Sequence, residues 1–137
     1  MYCTYDDIIA DIGYDDLQQL TDDNKTGVVD EGIVQEKIKD VDEYINSHIQ
    51  EHYSLPITTP GGLRVLRKIA VSLVVCDLYQ RRLGLEYPES LVKRRQDAVA
   101  DLMKVQKGII NLQQNEPKMQ KKYLVSKRTR RFNSELY

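Results

Sequence analysis

The residues best placed for chemistry are His48 and His52, one helical turn apart with Glu51 between them. Zinc hydrolases use a His pair at this spacing, but their general-base Glu directly follows the first His. Here that place holds Ile49, which belongs to the apolar stripe of its helix. The sequence has only these 2 His, so carboxylates would have to complete the ligand set of a catalytic zinc. The pair reads as two polar residues near a helix end.

Asp77 is the second candidate, an acid set within the apolar run 69–79. Buried carboxylates often mark functional sites. Arg81 follows one turn later, however, at the spacing that pairs acid with base on a helix, and a structural Asp77–Arg81 ion pair is expected. Gly61-Gly62 precedes Leu63-Arg64 rather than the Lys-Ser/Thr of a phosphate loop. Neither Cys3 nor Cys76 has a His or a second Cys near it in the chain. No nucleophile and base can be assembled from these pieces. The expectation is a protein that is not an enzyme and takes no metal and no cofactor.

What remains is surface chemistry, and here the charges are unevenly placed. Residues 1–53 carry 14 acids and 3 bases, residues 54–112 carry 5 and 10, and residues 113–137 carry 2 and 7. One reading is that the two halves pack together and neutralise each other. The other is that the acidic face of one copy meets the basic face of the next, a head-to-tail contact that builds rings with its register set by charge. Lys127, Arg128, Arg130 and Arg131 beside Phe132 suit nucleic-acid phosphates. Base stacking has thin support there, since only Tyr123 and Phe132 stand near enough to help. A basic tail also docks on acidic protein, and the first half of this chain supplies such a surface.

The elements that position these groups are helical. At 137 residues, with 30% charged and 7% aromatic residues and no Trp, the chain is expected to form one all-α domain. Its centre is the run 69–79, apolar except for Ser72 and Asp77. A helix apolar nearly all round is a buried one. The run is too short for a bilayer, which takes about 20 apolar residues, and Arg67, Lys68, Arg81 and Arg82 close it off. The stripe Leu63, Leu66, Ile69, Ala70, Leu73 and Val74 extends it into a helix over about 63–83, with Pro60 at its first turn.

Around that rod, Thr4 caps a short helix whose Asp6 and Asp7 suit the positive end of the helix dipole. Ile8, Ile9 and Ile12 are its apolar side, and Gly13 ends it. One further turn over 15–20 turns Leu17 and Leu20 inward, and 21–27 is turn-like. Asp30 caps a long helix over 31–52, whose inner stripe is Val34, Ile38, Val41, Ile45 and Ile49. Residues 53–62 link it to the central helix. Gly84 caps that helix, and a third long helix covers 89–107, with Leu91, Ala98, Leu102 and Val105 inward and Lys93, Arg94 and Lys104 mostly outward. After Gly108, Ile109, Ile110 and Leu112 are expected to cover an open end of the core. The division is therefore a helical domain over 1–112 and an extended basic C-terminal arm over 113–137. With no basic and apolar leader at the start and no disulfide framework, a reducing cytoplasmic setting is expected.

The order of these pieces resembles the Mu-like prophage protein family, which carries a domain of unknown function. The matching residues are 2–7, Leu20-Thr21-Asp22, the helix Val41-Asp42-Glu43-Tyr44-Ile45-Asn46 and the link Tyr53-Ser54-Leu55-Pro56-Ile57. Asp77-Leu78-Tyr79-Gln80-Arg81-Arg82 and 98–108 complete the resemblance, which covers about 1–112. That family resembles the head–tail connector or head-completion adaptors of tailed phages, which are small helical proteins. The resemblance implies a structural subunit in a ring, twelvefold, between the portal protein and the tail or stopper protein. DNA would pass through the ring, and no membrane would be involved. It implies a place in the virion at the head–tail interface, after synthesis in the host cytoplasm. On that reading Tyr53, Leu55, Pro56 and Ile57, with Lys127, Arg128, Arg130, Arg131 and Phe132, touch neighbouring subunits or the portal. The alternative is a nucleic-acid-binding regulator that uses the basic arm. A metal-dependent enzyme built on His48 and His52 is the weakest reading.

Overall fold

Thr4 opens the first helix as a reciprocal cap. Its Oγ1 accepts from Asp7 N at 3.2 Å, and Asp7 Oδ2 accepts from Thr4 N at 3.0 Å, which satisfies two amides at the helix start. The computed structural model describes residues 1–83 and 86–112. The Gly84 cap and the arm 113–137, with Lys127, Arg128, Arg130, Arg131 and Phe132, lie outside the described residues.

Helix α1 spans Tyr5–Ile12 and α2 spans Tyr14–Thr21. Gly13, at φ 86°, separates them, a left-handed conformation that costs glycine little. The expected single turn after Gly13 is thus a full helix of 8 residues. Thr21 ends it, fully buried. Its Oγ1 donates to Leu17 O at 2.8 Å and accepts from Asp30 N at 3.2 Å, so one hydroxyl joins the end of α2 to the start of the next helix.

That helix, α3, spans Glu31–Ile49. Asp30 caps it as expected, accepting from Gly32 N at 3.0 Å. Val34, Ile38, Val41, Ile45 and Ile49 are all buried, so the inner stripe is as the periodicity predicts. The helix stops at Ile49, and residues 50–53 turn off it through a Tyr53 N to Ile49 O bond of 3.0 Å.

Helix α4, Pro60–Leu83, is the longest at 24 residues, about 36 Å. Leu66, Ile69, Ala70, Leu73, Val74, Val75, Cys76 and Leu78 are buried along it. All four other helices pack against it, so the apolar run is a central helix, and no strand occurs among the described residues. Each fully buried Leu or Ile side chain here stabilises the fold by roughly 1.5–3 kcal/mol relative to exposure. Helix α5, Glu89–Gln106, buries Ala98, Leu102 and Val105 against α4 and α3. No described helix is long and apolar enough to cross a membrane.

After α5 the expected cover over the core is made by Ile110 and Leu112, but not by Ile109. The Ile109 and Ile110 amides both bond Lys104 O, at 2.9 and 3.2 Å, and so turn the chain back onto the end of α5. Ile109 is 71% exposed while Leu112 is buried. Leu112 is held because its carbonyl accepts from Thr59 Oγ1 at 2.6 Å. Thr59 Oγ1 also accepts from Gly62 N at 3.3 Å, so one residue caps α4 and secures the end of the domain.

Candidate interaction surfaces

Of the two histidines first suspected of chemistry, His52 is exposed and His48 is engaged by its own helix. His48 Nδ1 lies 2.9 Å from Tyr44 O, and its ring rests on the Tyr44 ring at a centroid distance of 4.5 Å. Among the described residues, no group of three His, Cys, Asp or Glu is placed to hold a metal ion. Both cysteines are buried and free. Burial raises the Cys3 thiol to about 12, with Asp42 adding to the shift. Cys76 Sγ lies 3.4 Å from Leu91 O.

Asp77 does form an ion pair, but not with Arg81. Arg95 of α5 reaches it at 2.6 Å. Arg81 instead turns to the loop after α2, where it pairs with Asp23 and donates to Leu20 O at 3.1 Å. Arg82 joins it at 3.3 Å from Asp23. The one-turn spacing on α4 is overridden because acids and bases on neighbouring elements lie closer to these side chains. The hydrogen bond from Arg81 holds the Asp23 carboxyl below its ordinary value. The Thr26 and Gly27 amides, each 2.8 Å from Asp22, do the same for Asp22.

The link between α3 and α4 is divided by burial. Tyr53 and Ile57 are 8% and 3% exposed and belong to the core of their own domain. Tyr53 Oη donates to Val105 O at 3.1 Å, with Ile110 O at 3.4 Å. Expected as interface residues, these two instead anchor the link, because an apolar side chain between two helix ends gains most by filling the gap between them. Leu55 and Pro56, joined by a cis peptide bond, stand out from the link and are exposed. Leu63 at the start of α4 is 37% exposed. With Leu55 and Ile109, it gives this end of the bundle an apolar rim.

Two charged surfaces remain. On α3, Glu36, Asp40 and Glu43 follow one another at helical spacing on the outer side, with Glu51 beyond them, and all four are exposed. Lys39 flanks them. Elsewhere, an open groove of about 1210 Å³ runs between α1, α4 and α5, and no residue of α3 lines it. Arg94, half-buried in that groove rather than outward as expected, forks onto Asp11, and Lys93 pairs with Asp97 at 3.6 Å. Arg64, Arg67, Lys68 and Lys104 line it too. Among the described residues these four bases have no ion pair, and neither do Glu36, Asp40, Glu43 and Glu51. Among the described residues, Asp11 and Asp23 are the first-half acids that pair with a cation of the second half. Among the described residues the two halves thus neutralise each other only in part. Spacing along a single helix does not reveal the groove, because it joins three helices distant in the chain.

Over residues 2–128 the chain matches the family described as bacteriophage Mu, Gp36. It belongs to that family. This Gp36-family chain is therefore a phage protein of the Mu-like type, as the resemblance in its sequence implied. The match runs past residue 112 through 113–128, further than that resemblance reached, and takes in Lys127 and Arg128 but not Arg130, Arg131 or Phe132. None of the curated proteins matches the chain.

Proposed function

We propose that this Gp36-family protein is a non-catalytic building block of the phage particle: a head–tail connector subunit that forms a closed ring between the portal and the tail. The observation that carries this reading is the separation of charge over the described helical domain. Among the described residues, Glu36, Asp40 and Glu43 of α3 have no ion pair, and neither do Arg64, Arg67, Lys68 and Lys104 of a groove that α3 does not line. A surface pair that is complementary but not self-complementary favours heterologous contacts, which generate rings when the rotation closes. Family membership supports a phage setting. The exposed Leu55, Pro56, Leu63 and Ile109 supply an apolar rim for contact with the portal or the next subunit. In this reading the arm 113–137 strengthens contact with neighbours, and the protein resides in the virion.

The test is the mass of the particle formed by the full chain, alone and with portal protein, and by a chain ending at residue 112. Rings of defined mass are expected, with weaker assembly after truncation. A 15.9 kDa monomer at every concentration, with and without portal, would refute the proposal.

A further inference from the structure

The proposed ring leaves open which surfaces meet, and the unpaired charges answer this. We infer that the outer face of α3 in one copy docks on the basic edge of the α1–α4–α5 groove in a second copy. Glu36, Asp40 and Glu43 are the acidic side of that contact, and Arg64, Arg67, Lys68 and Lys104 the basic side. This inference rests on the ring reading and names its interface.

The two sets match in extent. Glu36 to Glu43 covers seven helical steps, about 10 Å along the α3 axis. Arg64 to Lys68 covers about 6 Å along α4, and Lys104 stands across the groove on a helix whose axis is about 8–10 Å away. Each patch is therefore on the order of 10 Å across. The acids project from one helical stripe, the geometry that seats a helix along a groove. The bases come from two helices, the geometry that flanks one.

Pairing among the described residues shows which charges are left over. Arg94 and Lys93 are held by Asp11 and Asp97, so the groove's central cations are already satisfied. Those left over gather toward the amino end of α4 and the carboxyl end of α5. Of the other groove acids, Asp7 is engaged in capping α1, so among the described residues Asp101 is left against four bases. The α3 face cannot satisfy them within the same chain, because it contributes nothing to the groove. A second copy brings it there. Duplex DNA offers the basic edge an alternative partner, but it gives the α3 acids none. The contact between copies satisfies both surfaces at once, and so it is favoured.

The test uses two charge-reversed full-length chains. One carries Glu36→Lys, Asp40→Lys and Glu43→Lys. The other carries Arg64→Glu, Arg67→Glu and Lys68→Glu. All six positions are exposed, so both chains should keep the helical signal and melting behaviour of the parent, which is checked first. Each reversed chain alone opposes like charges, and its self-association is expected to weaken about 100-fold or more. Mixed in equal amounts, the two restore opposite charges at every contact and should assemble together. The parent's own assembly should weaken as salt is raised.

Several results would overturn the contact. If the parent forms rings and each reversed chain forms them equally well, the interface lies elsewhere and the connector reading stands. The same holds if both reversed chains fail alone and their mixture also fails. If the parent never assembles, with or without portal, the connector reading falls and takes the contact with it. If the Arg64, Arg67 and Lys68 reversals abolish DNA binding and leave ring mass unchanged, the basic edge serves nucleic acid instead.

Discussion

Arg94 of α5 holds Asp11 of α1 with two parallel bonds, each 2.9 Å long. Its Nε also donates to Ser72 Oγ of α4 at 3.2 Å, so one side chain joins three helices and sets the floor of the groove. The two-pronged geometry makes this pair stronger than a typical surface ion pair. Its partners are 31% and 28% exposed, so solvent still screens it. Urea unfolding of Arg94→Ala, Asp11→Ala and the double variant is expected to give a coupling of about 1 kcal/mol. A coupling near zero would mean that packing alone fixes α1 in place.

Gly62 is required by close approach rather than by backbone angle. A Cβ there would lie 2.6 Å from Leu112 O and 2.7 Å from Thr59 Oγ1, and Thr59 and Leu112 are the pair that closes the domain. Alanine elsewhere in a helix gains about 1 kcal/mol over glycine. Gly62→Ala should instead destabilise by about 1–3 kcal/mol. Loss of amide protection at residues 110–112 is the local signature to look for in hydrogen exchange.

Two leucines on α4 should respond very differently to truncation. Leu73 is 1% exposed and Leu63 is 37% exposed. Leu73→Ala is expected to cost about 2–5 kcal/mol, and Leu63→Ala within about 0.5 kcal/mol. Denaturant midpoints of the two variants give the comparison directly. Equal losses would contradict the placement of the α4 faces.

The loop after α2 should be sensitive to acid. The Asp22 carboxyl sits below its ordinary value of 3.8 because the Thr26 and Gly27 amides donate to its charged form. A depressed folded-state value adds stability above the unfolded-state value, and that contribution disappears as pH falls through the folded-state one. Asp22→Asn should therefore lower stability at pH 7 and make progressively less difference below about pH 4. Urea midpoints for both chains at pH 7 and pH 3 provide the check. A gap that stays constant would show that the carboxylate charge is unimportant here.

Cys3 should be inert in the native protein. It is 1% exposed, and burial raises its thiol to about 12, so almost none is thiolate at neutral pH. Alkylation at pH 8 is expected to be slow in buffer and fast in denaturant, with modification at residue 3 read by mass spectrometry. Rapid native labelling would place the N-terminal segment away from Asp42, where Tyr2 N now donates at 2.9 Å.

Much of this architecture depends on neighbours within a turn or two, and that part is readable from the chain alone. Thr4 and Asp30 cap because their side chains reach amides two or three residues ahead. Val34, Ile38, Val41, Ile45 and Ile49 are buried because helical period places them on one side. The run around Leu73 is central because it has no polar face to offer water.

Pairings between distant residues were settled only when the helices came together. Asp77 chose Arg95 over Arg81, and Arg81 chose Asp23, because a long charged side chain bonds whatever acid the adjacent element holds near it. Tyr53 went inside and Ile109 outside for a similar reason: the fold around them decides whether a gap remains to be filled. Local period and capping are written into the order of residues, whereas the groove, its unpaired bases and its distance from α3 are properties of packing, which spacing along a single helix does not encode.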